Sequence, residues 1–488
     1  MKFKIKKLDL KAGRPVIFID EYIAEKLNVH LGDRVEVSKN NKKIIAVVDT
    51  VKSFLSKSQV ALSQEVASYL KARPSQTVDI TPAPSPKSAS HILKKLKGES
   101  LTKSQIYKII SDVVSNSLTE AEIAYFISAV YEHGMSLQET IYLTEAMYKT
   151  GTSLSWSNKK VADKHSIGGI PGNRTTPIVV SICAAAGLIM PKTSSRAITS
   201  AAGTADVIET IAHINLSIEK LKSIVKKTNA CLAWGGSLRL APSDDKLIRV
   251  ERLLNLDPES QLIASIMSKK LAAGSKYVLI DIPYGKGAKV SKAQALKLKE
   301  KFIKIGKHFK IKMQVVLTLG SQPIGNGIGP VLEIIDVLKV LKRDNPPKDL
   351  ESKSIFLASQ LLEMTGKAKK GKGKALALTI LNSGKAYEKF NEIIIAQGKK
   401  SIALKPGRYK HNILSSKEGK IQHIDNKLIN RLGRALGCPS DKAAGIYFHK
   451  KKSDKLKPRE PIITLYAESK QKLKQGIKFY NKLHPIKI

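Results

Sequence analysis

With 488 residues, 42% of them apolar, the chain is long enough for several domains with cores of their own. No run of 18 or more apolar residues occurs, and the N-terminal heptapeptide alternates charge with bulk where a signal peptide would be apolar. The expectation is therefore a cytoplasmic protein without membrane attachment. The formal charge of +43 raises nucleic-acid binding, yet the cations are 71 Lys against 13 Arg and aromatic residues are only 5%. That is short of the bidentate guanidinium groups and stacking rings such surfaces use, so the expectation is no nucleic-acid partner and a positive field that concentrates small anions.

Residues 1–80 read as a β-rich accessory domain. Val16-Ile17-Phe18-Ile19, Val35-Glu36-Val37 and Ile44-Ile45-Ala46-Val47-Val48 are strand-like, and Leu31-Gly32-Asp33 is a turn. Pro82, Pro84 and Pro86 then interrupt both helix and ladder, which marks residues 81–89 as a linker. Residues 90–155 read as helices. Ser100 or Thr102 can cap one, and Ser117-Leu118-Thr119-Glu120 reads as a capping box. Ile123, Phe126, Ile127 and Val130 follow at helical spacing.

From about residue 156 to 404, Gly-rich turns alternate with helices and apolar strands. Tyr277-Val278-Leu279-Ile280-Asp281-Ile282 and Met313-Gln314-Val315-Val316-Leu317 suit buried strands of an α/β sheet. Residues 367–374 form a Lys/Gly loop. Short β patterns return in a C-terminal α+β region, residues 405–488. Cys183, Cys231 and Cys438 are too far apart and too few for a disulfide framework or a zinc site, and fit a reducing compartment.

Two clusters carry chemistry. In Asp163-Lys164-His165-Ser166-Ile167-Gly168-Gly169, paired glycines let backbone N–H groups approach an anion, with a Lys and a hydroxyl beside them. The apolar run at 178–186 reads as a helix whose N-terminus would face that anion. The same residues would also serve an ordinary Gly turn with a surface Lys. The second cluster, residues 194–206, puts five hydroxyls and the guanidinium of Arg196 among small residues. That is the inventory of a phosphate site, though also of a polar loop capping a helix.

Several of these motifs, in order, resemble the thymidine/pyrimidine-nucleoside phosphorylase family. Residues 194–209 (SSRAITSAAGTADVIE) are similar to its signature. Lys164-His165-Ser166 with Gly168-Gly169 is similar to its phosphate loop, and Ser265-Ile266-Met267-Ser268-Lys269-Lys270 to its Ser-x-x-x-Lys-Lys. Gln322-Pro323-Ile324-Gly325 and Leu381-Asn382-Ser383-Gly384-Lys385-Ala386 are similar to later blocks. The resemblance covers about residues 90–488. The extra N-terminal domain resembles the branch that holds the archaeal AMP phosphorylases and their bacterial relatives.

The resemblance implies an α/β multidomain fold. A helical domain, completed by about 243–272, faces a larger α/β domain across a cleft, with β-rich N-terminal and C-terminal domains. It implies a homodimer or larger homo-oligomer, phosphorolysis at C1′ of a ribosyl group, and no metal or organic cofactor. Phosphate contacts carry over to Lys164, Ser166, Ser194 and Thr204. Contacts to the nucleotide carry over to Gly169, Ser195, Arg196, Ala197, Ile198, Thr199, Ser200, Thr204, Ser265, Lys269 and Lys289. Asp257 is the implied acid, with burial on lobe closure raising its pKa; as residues alone, Asp257-Pro258 is also an ordinary helix entry. His165 is the rival acid.

One departure bears on substrate. Pyrimidine-specific members hold the base with Tyr-x-x-Arg after a Leu-Ala-Pro block, but Leu240-Ala241-Pro242 is followed here by Ile248 and Glu251 at those positions. A one-residue shift would restore Arg252 without the Tyr. A nucleoside 5′-monophosphate such as AMP (CMP or UMP as variants) is the expected substrate, with ribose 1,5-bisphosphate and free base as products. The alternatives are thymidine or a pyrimidine nucleoside, and an anthranilate-phosphoribosyltransferase-like reaction, for which paired acidic residues after a Gly loop are wanting.

Overall fold

The computed structural model describes residues 1–157, 160–197, 199–401 and 403–488, and the chain divides into two compact units, residues 1–151 with 241–265, and 152–240 with 266–488.

The first unit opens with β1 (Lys2–Lys6), β2 (Val16–Asp20), α1 (Glu21–Leu27), β3 (Arg34–Lys39), β4 (Lys42–Val51), β5 (Gln59–Leu62), α2 (Gln64–Leu70) and β6 (Thr77–Pro82). The strands close into a barrel in the order β1-β5-β2-β4-β3-β6. Their period-2 pattern dictates this: Phe3 and Ile5, Val35 and Val37, and Ile44, Ala46 and Val48 all point into one apolar core. β6 runs through Pro82, two residues into the stretch expected to be a linker. Pro82 pairs with Val35 at the end of the β3–β6 ladder.

Helices α3 (Ser88–Leu96), α4 (Lys103–Val114), α5 (Glu120–His133) and α6 (Leu137–Lys149) follow. Thr102 caps α4, as expected. The capping box of α5 lies two residues beyond the expected one: Thr119 is the cap and Glu122 its partner. Ser117-Leu118-Thr119-Glu120 has the right composition, but Glu122 is the carboxylate three residues into the helix, where it reaches the Thr119 N–H (2.7 Å). Glu122 also accepts from Arg34 of the barrel at 2.8 Å.

The second unit contributes β7 (Ala162–Ser166), α7 (Thr175–Ala185), β8 (Met190–Ser194), α8 (Thr204–Ile208), α9 (Ile218–Thr228) and β9 (Ala230–Trp234). The chain then returns to the first unit with α10 (Pro242–Leu254), and α11 (Glu259–Ala272) carries it back. β10 (Tyr277–Tyr284), α12 (Lys292–His308), β11 (Lys312–Leu319), β12 (Gly327–Ile328), α13 (Pro330–Lys342), α14 (Lys348–Met364), α15 (Gly373–Asn382) and α16 (Lys385–Ala396) complete the α/β part. Strands run parallel in the orders β11-β10-β7 and β8-β9, and a parallel bridge between Val161 and Ile189 sets β7 beside β8. β10 is buried from Val278 to Pro283, as a central parallel strand covered on both faces must be.

The C-terminal part holds β13 (Tyr409–Leu414), β14 (Gly419–Lys420), β15 (His423–Ile424), α17 (Asn426–Ala435), β16 (Gly445–Phe448), β17 (Lys455–Leu456), β18 (Pro461–Ala467) and α18 (Lys470–Leu483). Its antiparallel sheet, β12-β16-β18-β13, shares a core with Ala201 and Ile328 of the α/β part. Among the described residues no helix is long and apolar enough to cross a membrane.

Candidate active site

Parallel strands bring their C-terminal ends to one edge, and the loops leaving that edge are where such folds bind ligands. Ser166 ends β7 and Ser194 ends β8, while the Gly285–Lys289 loop follows β10. Of the expected site residues, all but Asp257 and Ser265 belong to the second unit. Ile198 lies outside the described residues.

Alternation along β7 turns Lys164 and Ser166 to one side and Asp163 and His165 to the other. Lys164 is 1% exposed, and its Nζ donates to Thr175 Oγ1 at 2.7 Å. Thr175 is the first residue of α7, so the helix N-terminus stands beside this lysine. Asp281 acts on Lys164 only at a distance: its oxygens are engaged by Thr318 (2.6 Å) and Lys353 (2.9 Å). Burial pushes the ammonium down to about 7 against the pull of Asp281. Among the described residues Lys164 thus makes no ion pair, and a buried cation with a neutral partner favours an arriving anion.

The tripeptide Asn173-Arg174-Thr175 links the pieces. Asn173 Nδ2 donates to Ser166 Oγ (3.3 Å), and Arg174 donates through Nη1 to Thr204 Oγ1 (2.9 Å) and through Nη2 to the Ala202 carbonyl (2.8 Å). The Arg174 Nε is held by Glu333. Ser166, Ser194 and Thr204 are all half-buried. The Ser194 Oγ has no partner among the described residues. The four expected phosphate residues therefore present one nearly buried ammonium and three hydroxyls.

Loop 195–203 is shaped by Asp206, whose Oδ2 accepts the N–H groups of Ala197 (2.7 Å) and Gly203 (3.0 Å). A Cβ at Gly203 would meet Ser195 O and Ala197 N at 2.6 Å, so only glycine allows this fold-back. Ser195 and Thr199 are exposed, and Ser200 donates to Ala202 O at 3.1 Å. Arg196, expected among the nucleotide contacts, is bound by Glu209 (2.6 and 2.7 Å) and Asp206 (3.3 Å) and lies over the Trp234 ring. Thirteen residues separate Arg196 from Glu209, and α8 turns them together. The Arg196 and Lys442 bonds hold the Glu209 carboxyl at about 2.

Gly169, at φ +90°, approaches Lys289 so closely that a Cβ there would stand 3.2 Å from the Lys289 Cβ. The phosphate loop and the expected nucleotide lysine are thus neighbours, and Lys289 is exposed. One helix of the C-terminal part, α17, braces both loop 195–203 and the Gly285–Lys289 loop. Asn430 accepts the Ala201 N–H at 3.1 Å, and one turn earlier Asn426 donates to Gly287 O (3.2 Å) and Gly320 O (2.9 Å).

On the other side of β7, Asp163 binds Lys270 (2.6 Å) and Lys192 (3.2 Å). Desolvation and the charges of Lys270, Lys192, Lys269 and Lys164 push His165 well below its usual value, so the imidazole is neutral at pH 7. Lys269 is half-buried on α11; in the first unit, Ser265 is buried on the same helix and Asp257 is exposed in the turn before it.

Reading by residue type missed Arg174, Asn173, Asn426, Asn430 and the Lys192–Asp163–Lys270 triad. Two signals were available. Asn173-Arg174-Thr175-Thr176 is a polar block directly before an apolar helix, and Asn426 and Asn430 sit one turn apart among the buried positions of α17.

Residues 89–151 match the helical bundle domain of the glycosyl transferase family, and residues 158–387 its a/b domain. Residues 420–487 match the pyrimidine nucleoside phosphorylase C-terminal domain. The chain is 48% identical to an AMP phosphorylase of Pyrococcus horikoshii, over all of this chain and 98% of the relative. It is 41% identical to one of Methanococcus aeolicus, over 99% and 97%. The anthranilate phosphoribosyltransferase of Thermus thermophilus shares the fold at 17% identity, with a TM-score of 0.53 over 63% of this chain and 98% of that one. With ordered motifs, matching domains and full-length relatives in agreement, the chain belongs to the pyrimidine-nucleoside phosphorylase family, on the branch of the AMP phosphorylases.

Proposed function

We propose that this enzyme cleaves the N-glycosidic bond of AMP with inorganic phosphate, releasing adenine and ribose 1,5-bisphosphate. The observation that carries the reading is the buried Lys164, which among the described residues makes no ion pair and donates to Thr175 at the start of α7, on a parallel strand that ends in Ser166. The full-length likeness to AMP phosphorylases supports a nucleotide over a nucleoside.

In this mechanism Lys164, Ser166, Ser194 and Thr204 hold the phosphate, balancing its charge without fixing a proton on the attacking oxygen. That oxygen forms a bond to C1′ as the bond from C1′ to the base nitrogen breaks, through a transition state with oxocarbenium character. The base leaves with a proton from Asp257. A neutral His165 is a poor acid and serves better as a hydrogen-bonding partner of the sugar or phosphate. Loop 195–200 and Lys289 grip the 5′-phosphate end, with Ser265 and Lys269 toward base and sugar. The enzyme acts as a homodimer or larger homo-oligomer in the cytoplasm.

The test measures base released from AMP, CMP, UMP, adenosine and thymidine, with and without phosphate, in the wild type, Lys289→Ala and Asp257→Asn. A charge-assisted hydrogen bond of about 1.5–3 kcal/mol predicts a loss of roughly 10- to 150-fold in kcat/KM for AMP on Lys289→Ala, with adenosine little changed. Asp257→Asn should abolish turnover and leave AMP binding intact. Thymidine as the better substrate, with Lys289→Ala silent throughout, would replace this reading with a pyrimidine-nucleoside phosphorylase.

A further inference from the structure

We propose that Arg174 is a positioning residue for phosphate: it turns the Thr204 hydroxyl into an obligate donor toward the bound anion. The inference rests on the phosphate site proposed above and adds to it a residue with no part in that mechanism.

A threonine hydroxyl can donate one hydrogen bond and accept two, and in a free loop its proton rotates. An arginine can only donate. The 2.9 Å bond from Arg174 Nη1 therefore fills an acceptor position on Thr204 Oγ1 and leaves the Thr204 proton to point elsewhere. Thr204 is only half-buried, and among the described residues its hydroxyl donates to nothing, which leaves that proton available to a ligand. The same logic recurs beside it. Thr175 Oγ1 accepts from the Lys164 ammonium, which also has no acceptor to offer.

Arg174 is suited to this by how it is held. It is 9% exposed, and Glu333, Ala202 O and Thr204 take up Nε, Nη2 and Nη1 respectively. Glu333 is itself fixed, accepting the Gly329 N–H at 3.0 Å from the turn before α13. The guanidinium fork has one arm on the loop backbone, one on the site hydroxyl and its stem on a buried carboxylate, so its orientation is set before phosphate arrives. Orientation in advance is what an electrostatic site requires, since a hydroxyl that must reorient on binding spends interaction energy doing so. Lysine, with a single tetrahedral ammonium, can keep the charge beside Glu333 but cannot span both arms.

The test is a double-mutant cycle on the full-length enzyme, with Arg174→Lys, Thr204→Val and both together, following KM for phosphate, KM for AMP and kcat. Arg174→Lys is expected to raise the phosphate KM about 10-fold or more and to leave the AMP KM within about twofold. In the Thr204→Val background the same change should add little, because the hydroxyl it orients is gone. Equal, multiplicative effects in both backgrounds would overturn the proposal, as would an unchanged phosphate KM in a folded Arg174→Lys. Glu333→Gln guards against a purely structural role: it removes the charge under Arg174 and keeps the hydrogen-bonding shape. If it lowers stability and leaves phosphate KM near that of the wild type while Arg174→Lys raises it, the effect belongs to the Thr204 contact. If it raises phosphate KM as much as Arg174→Lys does, the guanidinium is only a packing element and the proposal fails. Lys164→Ala separates the two levels. If it too leaves phosphate kinetics unchanged, the phosphate site itself is misassigned; if it raises KM while the cycle is multiplicative, only the role of Arg174 is wrong.

Discussion

The two sides of β7 carry consecutive residues with opposite electrostatics. Asp163 is 1% exposed, and its carboxylate meets two buried ammonium groups, Lys192 and Lys270. Lys164, the next residue and equally buried, meets a neutral hydroxyl. Burying a charge is costly unless it is paired, so the first arrangement is closed and structural, while the second leaves a cation that an incoming anion completes. Burial alone does not distinguish the two; the partners do.

The largest expected effect breaks the closed side. Asp163→Asn leaves Lys192 and Lys270 without their carboxylate and should cost about 3–5 kcal/mol in unfolding free energy, read from chemical denaturation. Stability within about 1 kcal/mol of the wild type would show that the triad is not a structural ion cluster. Lys164→Met is the counterpart. It removes a buried charge that makes no ion pair among the described residues, so stability should hold or rise. Phosphate kcat/KM should nonetheless fall by roughly 10²-fold, about 2.7 kcal/mol. A Lys164 variant that unfolds as readily as the Asp163 variant would erase the comparison.

pH sharpens it further: both contributions to stability grow with pH, but in different windows, Asp163 in the acid range and Lys164 above about 7. The folded Lys164 value, about 7, lies below the ordinary lysine value, so the unfolded chain binds more protons between them. Its burial penalty is in full force below pH 7 and is relieved as pH rises, and this contribution to stability grows with pH. Asp163 is held below its ordinary value, with desolvation opposed and outweighed by Lys192 and Lys270. Its contribution is present above the ordinary aspartate value and lost on acidification through the folded one. For ligand, a deprotonated Lys164 is a poorer anion site. Phosphate KM should rise by up to about tenfold per pH unit above 7 in the wild type, and Lys164→Arg, which stays charged, should flatten that rise. A wild-type profile as flat as that of the variant would mean that Lys164 is already charged in the free enzyme.

Much of the molecule was legible without a structure. The β-rich segments at 16–19, 35–37 and 44–48 implied strands of an accessory domain, because β-branched residues suit a pleated, half-buried surface. The apolar run in β10 marked a strand covered on both sides. The Lys-His-Ser-x-Gly-Gly loop and the hydroxyl stretch at 194–206 stood out as the residue types that an anion site would need. The capping box of α5 was misread by two residues, since two overlapping candidates share Thr119 and only helix geometry selects Glu122.

What the sequence by itself determined was the inventory: which residues could meet an anion, and which segments could be strands or helices. Local patterning carries that information, because propensity and periodicity act over a few residues. Tertiary structure decided which of those residues are committed elsewhere. Arg196 was legible as a guanidinium in a hydroxyl-rich stretch, but only the fold turned Glu209 against it, and Arg174, passed over in the sequence, was set by the fold between Glu333 and Thr204. Ion pairs and hydrogen bonds act through space between residues 13, 30 or 159 positions apart, and no local pattern records which partner a folded chain will bring.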